Sequence, residues 1–218
     1  MKVKTYMQLI EQYKHYREIA KTLIGIKVPE FLGEKALADS GKMLGLVQGE
    51  RTLVFESENE MSYLMDFVIN EYREDGKTAV EKYRDTIGWQ NEIEKEILEA
   101  ACSSYTTLFK IDSISKEKCT LIIDDLFYVK GKIELTDIGF SQSATPELLL
   151  FTRIFPFKNF NMTSGISFIF ARKSEDNIIK KYKKLYKRIN LENTQTKRFI
   201  AFFKLNRTDG LTVKLGFP

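Results

Sequence analysis

The sequence predicts an α+β protein made of three successive regions: an N-terminal helical half (1–103), a small five-stranded antiparallel β-module (104–171) and two C-terminal helices (172–218). Up to residue 103, apolar residues recur at three- and four-residue spacing, which is typical of amphipathic helices. Beyond it, short runs rich in β-branched and aromatic residues alternate with polar turns, which is typical of antiparallel strands. No Pro/Gly/Ser-rich linker separates the regions, so we expect one compact unit.

The first helix carries an aromatic stripe. Tyr6, Tyr13 and Tyr16 share one face with Leu9 and Leu23, and this spacing predicts one continuous apolar side. Such a stripe either docks on the protein's own core or joins two copies in a homo-oligomer. The sequence leaves both interpretations open.

An Asp-Gly-Lys-Thr turn at 75–78 follows a second helix predicted over about 61–72. Gly76 is a helix stop because glycine readily adopts the left-handed conformation. Thr78 with Glu81 predicts a capping box that starts a short helix. A further helix, from about Trp89 to Ser103, completes the helical half.

The same turn resembles the end of a phosphate-binding loop, which needs a glycine five residues before the second glycine and a strand in front. The required position holds Glu71, and the preceding segment is predicted to be helical. We therefore expect a joint between helices here and no nucleotide site.

The β-module contains five predicted strands separated by short polar turns. Their number and spacing suggest an SH3-like or OB-like barrel. The predicted strands cover 105–114, 119–129, 132–140, 147–155 and 162–171.

The C-terminal region is strongly basic. Residues 172–218 hold 13 Lys/Arg and 4 Asp/Glu, a net charge of +9, so with a whole-chain charge of +4 residues 1–171 carry −5. Ser174 is a candidate N-cap of a helix whose apolar side includes Tyr182 and Tyr186. Its other side predicts binding of nucleic acid or an acidic protein, through Lys180, Lys181, Lys183, Lys184, Lys187 and Arg188.

The alternative function is that of a metal-dependent enzyme, since four carboxylates lie in or beside the predicted strands: Asp124, Asp125, Glu134 and Asp137. Adjacent residues on a strand point to opposite faces, so Asp124 and Asp125 cannot enter one site without a bulge. The single histidine, His15, lies in a polar stretch and reads as a surface residue. We therefore assign no catalytic residue, cofactor or resident metal and lean towards a non-catalytic binding protein.

The cellular compartment of the protein is predicted from its cysteines, its N-terminus and its apolar segments. Cys102 and Cys119 do not form a disulfide framework. The charged N-terminus lacks a signal-peptide apolar segment, and no apolar run reaches the roughly 20 residues needed to cross a bilayer. We expect a cytoplasmic protein that does not associate with membranes.

The segment 61–171 resembles a group of uncharacterised bacterial proteins. The likeness rests on the Asp-Gly-Lys-Thr turn at 75–78, on the Tyr-x-x-Leu-Phe opening of the β-module at Tyr105, and on the later runs CTLIIDDLF and ELLLFTRIFPF. Some members end in a Cys-rich zinc motif of the SEC-C type, but the present chain has no cysteine after residue 171. The resemblance implies a shared fold and supplies no activity to transfer.

Overall fold

The computed structural model describes residues 2–49, 52–127 and 130–211. Contacts group the chain into two units. The first consists of Met1–Tyr105 and Ile154–Ile166, and the second of Thr106–Arg153 and Ser167–Pro218. The α+β class predicted from the sequence is confirmed, whereas the division at residues 103 and 171 and the packing as one compact unit stay predictions.

The first unit is mainly helical, and its elements follow in chain order. Helix α1 continues into a π-helical turn and a 3-10 turn, followed by α2, a short β1–β2 hairpin, and three further helices. The bounds are α1 Lys2–Thr22, π turn Leu23–Lys27, 3-10 turn Val28–Phe31, α2 Ala36–Leu44, β1 Val47–Gln48, β2 Thr52–Leu53, α3 Glu60–Asn70, α4 Ala79–Thr86 and α5 Glu92–Cys102.

The aromatic stripe of α1 is buried within this unit at Tyr13, Tyr16 and Leu23, whereas Tyr6 and Leu9 are half-buried. Tyr13 and Tyr16 are each 6% exposed, and the Tyr16 ring lies edge-on to Phe157 and Phe160 with centroids 5.3 and 5.6 Å away. The Tyr16 hydroxyl donates to Glu96 on α5 at 2.7 Å. The stripe therefore packs against the protein's own core at these two positions, so Tyr13 and Tyr16 are not available to contact a second copy. The homo-oligomer stays a prediction.

The predicted capping box at the start of α4 is confirmed. The Glu81 N–H donates to the Thr78 hydroxyl at 3.3 Å, and the Glu81 carboxylate accepts from the Thr78 N–H at 2.8 Å. Gly76 has φ +80°, the left-handed conformation that reverses the chain. The next helix begins later than predicted, at Glu92, because Asn91 caps it, and Trp89 precedes it and is 45% exposed.

The second unit contains most of the sheet. The five strands lie in the order β5-β4-β3-β6-β7, and β3 pairs antiparallel with β4, as β4 does with β5. The remaining elements are β3 Tyr105–Ser115, β4 Thr120–Asp125, β5 Lys132–Thr136, α6 Ile138–Ser143, β6 Leu148–Pro156, β7 Asn161–Ala171, a 3-10 turn Arg172–Ser174, α7 Glu175–Arg188 and α8 Thr194–Asp209.

The five-stranded antiparallel sheet is confirmed, whereas the SH3-like or OB-like barrel is not. In the described part of the chain β5 and β7 are edge strands that do not pair with each other, so the sheet stays open. Helix α8 covers its apolar face instead. The Phe202 ring stacks on Phe151 with centroids 4.2 Å apart, and Phe199 lies edge-on to Phe168 at 5.6 Å.

Two predicted strands were too long. The second ends at Asp125, where the chain turns, and the third ends at Thr136, because Asp137 caps a helix that the sequence pattern did not predict. The Asp137 carboxylate accepts from the Phe140 N–H at 2.9 Å. None of the described helices is both long and apolar enough to cross a membrane.

Candidate nucleic-acid interface

Helix α7 forms where the sequence predicts it and has two chemically distinct sides. Ser174 is the N-cap residue, although its side chain makes no cap hydrogen bond. Glu175 and Asp176 lie in the first turn, where negative charge interacts favourably with the helix dipole. Ile178 and Tyr182 are buried on one side, so the lysine-rich opposite side faces outwards.

Tyr182 of α7 belongs to the aromatic core of the second unit, and Tyr186 lies half-buried beside it. The Tyr182 ring stacks on Phe202 at 4.9 Å and lies 4.7 Å from Phe127, and its centroid is 5.4 Å from that of Tyr186. Burial raises the pKa of the Tyr182 hydroxyl, against an opposing hydrogen bond with Arg198. Tyr182 therefore holds α7 against α8 and offers no exposed ring for stacking with a base.

Of the six predicted cations, one forms an ion pair within the protein and five do not among the described residues. Lys181 pairs with the Asp209 carboxylate at 2.5 Å. Although burial alone would raise the Asp209 pKa, hydrogen bonds from Lys181 and Thr208 outweigh it and lower that pKa below its ordinary value. The other five are exposed and pair with no carboxylate among the described residues: Lys180, Lys183, Lys184, Lys187 and Arg188.

These five cations form one band along the outer side of α7, which we call the basic face. At 100° per residue they fall within roughly 140° of the helix circumference, and at 1.5 Å per residue they span about 12 Å along the axis. Unneutralised like charges so close together repel one another unless an anion lies across them. The basic face therefore suits an extended anion.

Sequence reasoning missed Lys197 on α8. Its ammonium lies 4.4 Å from the centroid of the Tyr186 ring, which places another cation beside the end of α7. Nothing local in the sequence distinguishes Lys197 from its neighbour Arg198, which is used internally and donates to the Thr106 carbonyl at 2.7 Å. Only the packing of α8 against α7 separates the two roles.

The four carboxylates of the enzyme alternative do not come together. Asp124 pairs with Lys110 at 3.1 Å, whereas Asp125 is buried and accepts from the Thr107 hydroxyl at 2.6 Å. Asp137 caps α6, and Glu134 is exposed. Among the described residues no group of three His, Cys, Asp or Glu side chains is arranged to hold a metal ion.

The remaining sequence features have structural roles. Lys77 of the Asp-Gly-Lys-Thr turn pairs with Asp85 at 2.8 Å, so it supports the joint between helices. His15 is exposed on α1. Burial raises the pKa of the Cys102 thiol to about 11, which keeps that thiol protonated and unreactive at neutral pH.

Comparison with known families adds one assignment. A family model described as a family of unknown function, DUF7986, matches residues 7–216. The chain belongs to DUF7986. This membership confirms that the protein is one of an uncharacterised family, and the match takes in α7 and most of both DUF7986 units. No curated protein and no solved structure matches the chain.

Proposed function

We propose that this DUF7986 protein binds the phosphate backbone of double-stranded nucleic acid through the basic face of α7, without catalysis. The observation that supports the proposal best is the set of five exposed cations that lack a carboxylate partner in the described chain. Lysine and arginine that contact phosphates release condensed counterions, and this release supplies most of the free energy of sequence-independent binding.

The composition of the basic face favours backbone contacts over base recognition. Four of its five residues are lysines, which act as compact point charges, whereas specific guanine contacts rely mainly on the planar arginine fork. Single-strand binders also need exposed aromatic rings on which bases stack. Tyr182 of α7 is buried, and Tyr186 is half-buried with the Lys197 ammonium over its ring. A duplex is therefore the better match than a single strand.

The charge distribution of the chain also favours binding of nucleic acid at the C-terminal region. The net +9 of residues 172–218 contrasts with −5 over residues 1–171. A polyanion is attracted towards the basic region and repelled by the remainder, so the asymmetry accelerates association through α7. We place the protein in a reducing cytoplasm, since Cys102 and Cys119 are both unpaired thiols.

Fluorescence anisotropy with a labelled 20-base-pair duplex of mixed sequence tests the proposal. The test variant carries Lys→Gln at Lys180, Lys183, Lys184 and Lys187. The control carries Lys→Gln at four exposed lysines of the first unit and so loses the same net charge: Lys14, Lys21, Lys35 and Lys42.

We expect the test variant to bind the duplex about 100-fold or more weakly at about 0.1 M salt, while the control stays within about threefold of the parent. Circular dichroism of both variants checks that the fold is retained. Equal affinity of the parent and the test variant would contradict the proposal. Tighter binding of a single strand than of the duplex would contradict its duplex preference.

A further inference from the structure

The first unit contains a cavity of about 330 Å³ between α1, α3 and the adjoining ends of β6 and β7. Its volume lies within the range of small-molecule sites, which is about 300–1,000 Å³. Its lining is mainly apolar and includes Ile24 and Phe155 together with three methionines, of which Met61 is 47% exposed: Met61, Met65 and Met162. Two cations, Arg17 and Lys21, also line it. Methionine side chains are unbranched and flexible, so such a wall adapts to ligands of different shape.

Two polar atoms in the cavity wall lack a hydrogen-bond partner within the described chain. The Asn70 side-chain N–H₂ donates to the Asp66 carbonyl at 3.0 Å and to its carboxylate at 3.4 Å. These bonds fix the direction of the amide and leave the Asn70 oxygen unbonded, and the Ser164 hydroxyl is unbonded too. Both atoms are shielded from solvent, where a missing hydrogen bond costs free energy.

The rim of the cavity has an unusual backbone. Gly25 lies on it, within the π-helical turn Leu23–Lys27, and π-helical turns inside helices occur frequently at functional sites. Arg17, on α1, also lines the cavity and donates to the Thr163 carbonyl at 2.6 Å. Next to Ser164, Gly165 has φ +109°, a conformation that glycine tolerates and other residues rarely adopt.

We propose that this cavity binds a small uncharged molecule with an apolar body and a hydroxyl group. The apolar body would lie on the methionine wall, and the hydroxyl would donate to the Asn70 oxygen and accept from Ser164 after a small rearrangement of the lining, since neither atom is accessible to solvent. A carboxylate end is disfavoured, because it would meet the buried Asp66 carboxylate and the Asn70 oxygen, whereas the two cations of the lining, Arg17 and Lys21, already pair with other groups. This site lies in the first unit and is independent of the basic face.

NMR of the full chain with ¹³C-labelled methionine methyl groups gives a direct test, since the protein has six methionines. The probes are benzyl alcohol, toluene and benzoate, which share a ring and differ in the polar group. We expect benzyl alcohol to shift the methyl signals of Met61, Met65 and Met162, and to leave those of Met7 and Met43 unchanged. Toluene should bind about three- to tenfold more weakly, and benzoate more weakly still.

Two variants assign the polar contacts. Ser164→Ala and Asn70→Leu should each reduce the preference for benzyl alcohol over toluene, and the double variant should reduce it to about onefold, with the methyl spectrum of the folded protein retained. Ser164→Ala changes the side-chain volume little, so it still tests the polar contact if the Asn70→Leu variant does not fold. The proposal is overturned if none of the three probes shifts the cavity methionines, or if benzyl alcohol and toluene bind the parent chain equally well.

Discussion

The Thr107 hydroxyl donates a 2.6 Å hydrogen bond to the buried carboxylate of Asp125. The same carboxylate accepts from the backbone N–H groups of Phe127 at 2.8 Å and Lys130 at 3.0 Å. Asp125, 1% exposed, therefore organises the turn after β4. Its neighbour Asp124 pairs with Lys110 at partly exposed positions.

Substitution of these two adjacent aspartates by alanine should have very different effects on the free energy of unfolding. Asp125→Ala leaves a hydroxyl and two N–H groups without their acceptor, and we expect it to lower the free energy of unfolding by about 3 kcal/mol. Asp124→Ala removes only a partly exposed ion pair and should cost less than about 1 kcal/mol. Urea unfolding of both variants measures the difference, and similar losses would contradict the structural role of Asp125.

Two glycines provide a matched pair for backbone strain. Gly76 has φ +80° and Gly25 lies in a helical turn, and a Cβ added at either position meets no atom within 4 Å. Crowding is therefore the same in both variants, and only the backbone conformation differs. We expect Gly76→Ala to destabilise the protein by about 1 kcal/mol and Gly25→Ala to stabilise it by about 0.5 kcal/mol.

Thermal or urea unfolding of the two variants side by side gives the sign of each effect. Stabilisation by Gly76→Ala would mean that the Asp-Gly-Lys-Thr turn does not hold the left-handed conformation. Destabilisation by Gly25→Ala would mean that the π-helical turn, which is also the cavity rim, does not accommodate a side chain.

Cys102 should react slowly with alkylating agents. Burial raises the pKa of its thiol to about 11, so at pH 8 its thiolate is roughly 200-fold scarcer than that of an ordinary cysteine. In a Cys119→Ser variant, the iodoacetamide rate should rise about tenfold per pH unit up to about pH 11. The same chain unfolded in urea serves as the control, and a folded-state rate that levels off near pH 9 would contradict the prediction.

The shifted thiol also has a consequence for stability. Because the pKa is raised in the folded state, the unfolded chain ionises first as the pH rises. The contribution of Cys102 to folding is therefore fully present below about pH 8.5, the ordinary thiol pKa, and declines as the pH approaches 11. As the pH rises over this interval, the free energy of unfolding of the Cys102→Ala variant should fall less than that of the parent.

Local features were predicted well from the sequence. The capping box of Thr78 and Glu81 lies within four residues, so its pattern is sufficient to place the start of α4. The two sides of α7 likewise follow from a helical spacing that needs no distant contact. By contrast, the sequence around Asp137 alternates like a strand, and the cap that begins α6 was missed because strand and helix patterns overlap over so few residues.

Features that depend on distant contacts were not predictable. The open sheet results from edge strands that do not pair and from the phenylalanines of α8 on its face, which no local pattern shows. Lys181 resembles Lys180 in the sequence, and only the position of Asp209, 28 residues further along, distinguishes them. The cavity likewise collects Asn70 and Ser164 from separate segments.

The salt dependence of duplex binding tests the central claim most directly. Five phosphate contacts by the basic face predict that log K falls with log[salt] with a slope of about −4.5, since each contact contributes about −0.9. The variant with Lys→Gln at Lys180, Lys183, Lys184 and Lys187 should retain a slope of about −1. A parent slope near zero, or the same slope in parent and variant, would contradict duplex binding through α7.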